Sequence, residues 1–136
     1  MSSGYDMVSR KLAEYKRRKN DTLNPLSTKE SALITTFEIT KEMYARGYKI
    51  QNVSLEKSQS KDWIVDEKSK SLIPPFIVVD GLGDTVAEAI VKARSEQNFL
   101  SIEDLVERGK VNSKICGELR KLKVLDGLSE TNQVEL

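Results

Sequence analysis

Histidine is absent from these 136 residues, and cysteine occurs once, at Cys116. Without imidazole, every mechanism built on a histidine base is excluded, and with one thiol so are a disulfide framework and the usual zinc sites. A reducing, cytoplasmic setting is the expectation. No apolar run approaches the ~18 residues of a membrane-spanning helix, and the N-terminus lacks the apolar stretch of a signal peptide. Charge of one sign is missing too: 22 Lys+Arg face 21 Asp+Glu, a formal charge of +1. Total charge therefore points to neither nucleic acid, membrane nor acidic substrate, and any anion site must be local. The length suits one domain, or one domain with an extension, and is too short for a large enzyme.

What is present begins with a basic amphipathic stretch, Tyr5 to Lys19. Met7, Val8, Leu12 and Tyr15 recur at helical spacing among Arg10, Lys11, Lys16, Arg17, Arg18 and Lys19. A solvated face over a packing stripe is the simpler reading of those cations, and a DNA-contacting face is the other. After the connector around Pro25, Ser27-Thr28-Lys29-Glu30 forms a capping box that starts a second helix. Its core side is Leu33, Ile34, Phe37, Thr40, Met43 and Tyr44, and Gly47 supplies a left-handed stop. Tyr48, Ile50, Val53 and Leu55 are strand-like, and Lys61 to Ile73 reads as a small β-hairpin with Trp63 as a packing residue.

Pro74-Pro75 then leads through Phe76 to Val79 into Asp80-Gly81-Leu82-Gly83-Asp84-Thr85, a tight turn opening an amphipathic helix. Gly81 and Gly83 can both take positive φ and carry no side chain, so the amides behind them can face one anion at the positive end of a helix. A second reversal recurs at Gly109-Lys110-Val111, between a helix capped by Ser101 and one capped by Asn112 or Ser113. The reading is a mainly α fold with a small β-hairpin, in which two helix, hairpin, helix units stand in tandem. Val86 occupies the place of a third dinucleotide-fold glycine, and no Gly-Lys-Ser/Thr follows, which argues against Rossmann and P-loop sites.

Gly81-Leu82-Gly83 followed by Ala87, Ile90 and Arg94, with the second turn at Gly109, resembles the tandem helix-hairpin-helix module of DNA replication and repair proteins. The resemblance implies that Gly81, Gly83, Thr85, Gly109, Lys110, Val111, Ser113 and Lys114 meet duplex phosphates, with Lys92 and Arg94 as secondary charges. Such contacts position a duplex without reading its sequence. The family turn usually has proline where Asp80 stands, and Asp84 adds a carboxylate beside the expected phosphate.

A longer match joins Glu42-Met43, Ala45-Arg46-Gly47-Tyr48-Lys49, Leu72-Ile73-Pro74-Pro75-Phe76, Phe99-Leu100-Ser101, Glu103-Asp104-Leu105 and Arg108-Gly109-Lys110. These segments look like the C-terminal end of the PolC-type DNA polymerase III alpha subunits, replicative polymerases of bacteria. The resemblance implies a C-terminal piece, excised or separately encoded, whose polymerase and exonuclease carboxylates lie elsewhere. It divides the chain into a fingers-like helical segment at 1–47, a small β element at 48–73, the tandem module at 74–128 and a tail at 129–136. Partners implied are double-stranded DNA, the remainder of the polymerase and, through Gln133, Val134 and Leu136, a sliding clamp. Glu135 replaces the serine of the family's clamp peptide, and its last aromatic is missing.

No cofactor or metal is expected: the pairs Glu103-Asp104 and Asp66-Glu67 suit capping and solvation, and Cys116 suits a core. Nothing assembles a nucleophile, base and orienter, so no catalytic residue is named. The alternative class is a protein-interaction module of a replication or repair complex with no DNA contact, which the balanced charge favours.

Overall fold

A computed structural model describes residues 3–131. Its contacts divide the chain into two compact units, Met1–Gln51 with Val65–Leu72, and Asn52–Ile64 with Ile73–Leu136.

In the first unit, α1 (Ser3–Arg18) packs on α2 (Thr28–Ala45). The apolar stripe of α1 is buried at Met7, Val8, Leu12 and Tyr15, and α2 contributes Leu33, Phe37 and Thr40. Tyr15 and Phe37 meet with ring centroids 6.1 Å apart, and Tyr5 stacks on Tyr44 at 4.0 Å. Each fully buried large side chain of this kind contributes about 1.5–3 kcal/mol.

The connector is held by Arg18, which donates to the carbonyls of Asn24 and Pro25 and forks onto both Glu30 oxygens at 3.1 Å. Glu30 also completes the capping box with Ser27, so one carboxylate fixes both the start of α2 and the end of α1. At the other end of α2, Gly47 has φ +101°, the left-handed stop expected from its position.

A three-stranded sheet of order β1-β3-β2 completes this unit, with β1 at Lys49–Ile50, β2 at Ile64–Asp66 and β3 at Ser71–Ile73. β1 and β3 run parallel, pairing Lys49 with Ser71 and Ile50 with Leu72. β2 and β3 are joined by a four-residue turn in which the Asp66 carboxylate accepts the amides of Lys68 and Ser69. So short a link permits only an antiparallel pair, which is the expected hairpin.

The strand-like run from Tyr48 to Leu55 is shorter than its residue types suggest, ending at Ile50. Beyond it Ser54 and Ser58 bond each other's backbone: the Ser54 amide donates to Ser58 Oγ, and the Ser58 amide donates to the Ser54 carbonyl. Local side-chain bonds of this kind compete with a sheet ladder, and here they win.

The second unit is helical. After Pro74-Pro75 a single 3₁₀ turn, Phe76–Val78, precedes α3 (Asp84–Glu96), α4 (Ile102–Arg108) and α5 (Ser113–Lys121). Phe76, Val78, Val79, Leu82, Ala87, Ile90, Leu105, Val111, Ile115 and Leu119 form its core. Ser101 caps α4 and Asn112 caps α5, each side chain accepting an amide of the first turn. Arg108 closes α3 from α4, donating to the carbonyls of Ala93 and Gln97 and pairing with Asp104 at 2.9 Å. The fold among the described residues is thus mainly α with a small hairpin.

Candidate nucleic-acid interface

The helix N-termini of the second unit are not equivalent. At α4 the amides of Ile102 and Glu103 donate to the carbonyls of Ser129 and Glu130, at 2.8 and 3.0 Å, and Ser101 takes the Asp104 amide. That end is closed by the chain itself. At α5 Asn112 accepts the Ile115 amide at 2.8 Å, and Ser113 and Lys114, ahead of it, are exposed. At α3 the N-cap is Gly83, which offers no side-chain oxygen.

The first-turn amides of a helix have no intrahelical acceptor, so a glycine cap leaves those of Asp84 and Thr85 open to an external one. Gly81, Gly83 and Thr85 are all exposed. The positive end of the helix faces the same way.

The two turns are neighbours. A Cβ built on Gly81 would lie 3.8 Å from Cε of Lys114, so the first side chain of α5 able to carry charge reaches over the first hairpin. Gly81 and Lys114 thus stand side by side, and Gly83, Thr85 and Ser113, their neighbours in sequence, are exposed as well. Lys110 is exposed beside them in sequence, and Lys92 is exposed two turns further along α3.

Three of the residues expected at the interface face inward. Arg94 is half-buried, donates through Nη1 to the carbonyls of Leu55 and Ser58 at 2.9 and 2.8 Å, and lies over the Phe76 ring. Burial draws its pKa down from the ordinary guanidinium value, without threatening its charge at neutral pH. It ties the 52–60 segment to α3. Val111 is buried and its amide donates to the Val106 carbonyl; the Gly109 amide donates to that of Leu105.

The glycines also divide their work differently from the sequence reading. Gly81 has φ +78°, the left-handed turn position, but Gly83 has φ −88° with extended ψ. In the second hairpin Gly109 has φ −87°, and the left-handed residue is Lys110 at φ +58°. Gly109 is needed for close packing: a Cβ there would stand 2.8 Å from the Leu105 carbonyl oxygen and 3.1 Å from Cγ1 of Ile90.

A lysine in left-handed backbone is strained by roughly 1 kcal/mol relative to glycine. Lys110→Gly is therefore expected to raise the melting temperature by a few degrees. If Lys110 meets a phosphate, the same change flattens the salt dependence of duplex binding by about one unit of log slope.

One cation was not singled out from the sequence. Lys61 places its Nζ 3.4 Å from Asp84 Oδ2 and 3.7 Å from Glu88 Oε1, beside the start of α3. Its hydrogen bond to Asp84, with the charges of both carboxylates, holds its pKa above the ordinary lysine value. No spacing rule links a residue in the 52–64 segment to a helix beginning at 84. The acidic pairs are engaged elsewhere: Asp104 accepts from the Leu100 amide and Arg108, and Glu67 accepts from the Tyr48 hydroxyl. Gln133, Val134 and Leu136 lie outside the described residues.

A family profile described as a helix-hairpin-helix motif matches residues 47–134. The chain is 45% identical over 127 residues, 93% of its length, to the DNA polymerase III PolC-type of Mycoplasmopsis pulmonis. It is 43% identical over 123 residues, 90% of its length, to the protein of that name from Ureaplasma parvum serovar 3. With that of Streptococcus mutans serotype c, identity is 38% over 136 residues. It spans only 9%, 8% and 9% of these three relatives. The matched profile takes in both turns and the helices behind them, and the chain belongs to the helix-hairpin-helix family.

Proposed function

We propose that this chain is the duplex-holding C-terminal part of a bacterial replicative polymerase of the DNA polymerase III PolC type, and that it grips double-stranded DNA without reading its sequence. The observation that carries this reading is the uncapped, exposed start of α3 at Gly83, with Lys114 of α5 reaching over Gly81. Amides at the start of α3 and α5 receive phosphates, and Lys110, Lys114 and Lys92 add charge. Arg94, Gly109 and Val111 support the two hairpins from within. The tandem module covers 74–128, behind a fingers-like helical segment at 1–47 and the β element at 48–73.

The chain contributes geometry and electrostatics to the polymerase; the nucleotidyl-transfer carboxylates belong to the rest of it. The tail at 129–136 presents Gln133, Val134 and Leu136 to a sliding clamp. The setting is the bacterial cytoplasm, and among the described residues no helix is long and apolar enough to cross a membrane.

A formal charge of +1 supports a second reading, a protein-docking module whose hairpins face another subunit. Affinity for a mixed-sequence duplex, measured from low to moderate salt, separates the two. Neutralising roughly three phosphates gives a log-log slope of about −3, the same for duplexes of unrelated sequence. Absence of binding even at low salt would leave the protein-docking reading.

A further inference from the structure

The start of α3 carries a contradiction: the amides that would receive a phosphate are followed by two carboxylates, Asp84 and Glu88, four residues apart on one helix face. Both are about two-thirds exposed, and each repels a phosphate at the same helix end. Lys61 stands against both, and its placement is set by backbone. The Phe76 amide donates to the Gln59 carbonyl at 2.9 Å and the Ile77 amide to that of Ser60 at 3.2 Å, fixing the segment just before Lys61 to the 3₁₀ turn that leads into the hairpin.

We infer that Lys61 is a positioning residue of the duplex-binding surface, which draws the Asp84 and Glu88 carboxylates to itself and so keeps them from opposing the phosphate at the α3 amides. The inference rests on the duplex-binding reading above. Lys61 acts here through the two carboxylates, so removing them must remove its effect. A direct phosphate contact would persist without them.

The test measures duplex affinity and melting temperature for the whole chain and for Lys61→Gln, the Asp84→Asn, Glu88→Gln pair, and all three changes together. Lys61→Gln is expected to weaken duplex binding by roughly threefold to tenfold at low salt, in line with the loss of one partly screened charge. The carboxylate pair tightens binding, and adding Lys61→Gln to it changes affinity by less than about 1.5-fold, because nothing remains to be held. Lys61→Arg restores most of the lost affinity.

An equal loss from Lys61→Gln in both backgrounds would overturn the inference in favour of a direct contact. Unchanged affinity in Lys61→Gln would overturn it as well, provided the glycine variants described below still lose binding. A wild-type chain that binds no duplex would instead bring down the functional reading itself. A fall in melting temperature without a change in affinity would mark Lys61 as a helix-stabilising residue only and also overturn the inference.

Discussion

A chain carrying Gly81→Val and Gly83→Val is expected to lose duplex affinity by about a hundredfold or more, as two charge-assisted hydrogen bonds to phosphate are each worth about 1.5–3 kcal/mol. The two positions act differently. Gly81 sits at φ +78°, where a β-branched residue is a steric outlier, so valine there rebuilds the turn. Gly83 is in extended backbone, and a Cβ placed on it would meet nothing within 4 Å, so valine there disturbs no neighbour within the protein and acts on what approaches from outside.

Gly83→Ser sharpens the distinction. A serine N-cap satisfies a first-turn amide and stabilises α3 by a few tenths of a kcal/mol. It also occupies the donor that a phosphate would use, so the variant is expected to melt no lower than wild type while binding duplex about tenfold more weakly. Stability and binding moving in opposite directions cannot come from damage to the fold. Electrophoretic or fluorescence-anisotropy titration together with a thermal melt reads both.

Gly109→Val has the opposite character. Its Cβ would intrude on the Leu105 carbonyl in the last turn of α4 and on Ile90 of α3, and neither a backbone oxygen nor a fully buried isoleucine can move away cheaply. Overpacking at such a contact costs about 3 kcal/mol, which lowers the melting temperature of a unit this size by roughly 12–24 °C. Gly109→Ala meets the same oxygen with less bulk beyond it and falls between valine and wild type. At temperatures where the valine variant is folded, its duplex affinity stays near that of the wild type, because the Gly109 amide is already given to Leu105. A strong loss of binding in a folded Gly109 variant would restore this glycine to the phosphate-contacting set.

These contrasts show what a sequence can and cannot disclose about such a site. Caps and stops were legible because they are local: Ser27 with Glu30, Ser101, Asn112 and Gly47 each act within four residues of where they stand in the chain. The mainly α architecture and the Ile64 to Ile73 hairpin followed from the same short-range patterns. Turn residues were legible as turns, but not their division of labour.

A glycine is required either where φ is positive or where another chain segment comes close, and the letter does not say which. Gly81 proved to be the first kind and Gly109 the second, while the left-handed position of the second turn fell to Lys110. Arg94 illustrates a further limit. On a helix following a phosphate-binding turn it reads as a surface cation, yet the carbonyls that claim it, those of Leu55 and Ser58, lie 39 and 36 residues earlier. Lys61 was missed for the same reason, its partners being brought to it only by the path of the 52–64 segment.

The central claim is that amides at the start of α3 and α5 receive the phosphates of a duplex. Its most direct test is a ¹H–¹⁵N correlation spectrum of the labelled chain titrated with a short mixed-sequence duplex. The expected result is a set of concerted shifts at Gly81, Gly83, Asp84, Thr85, Ser113 and Lys114, with the amides of α4 left in place. Shifts confined to other surfaces, with those six amides unmoved at saturation, would contradict it.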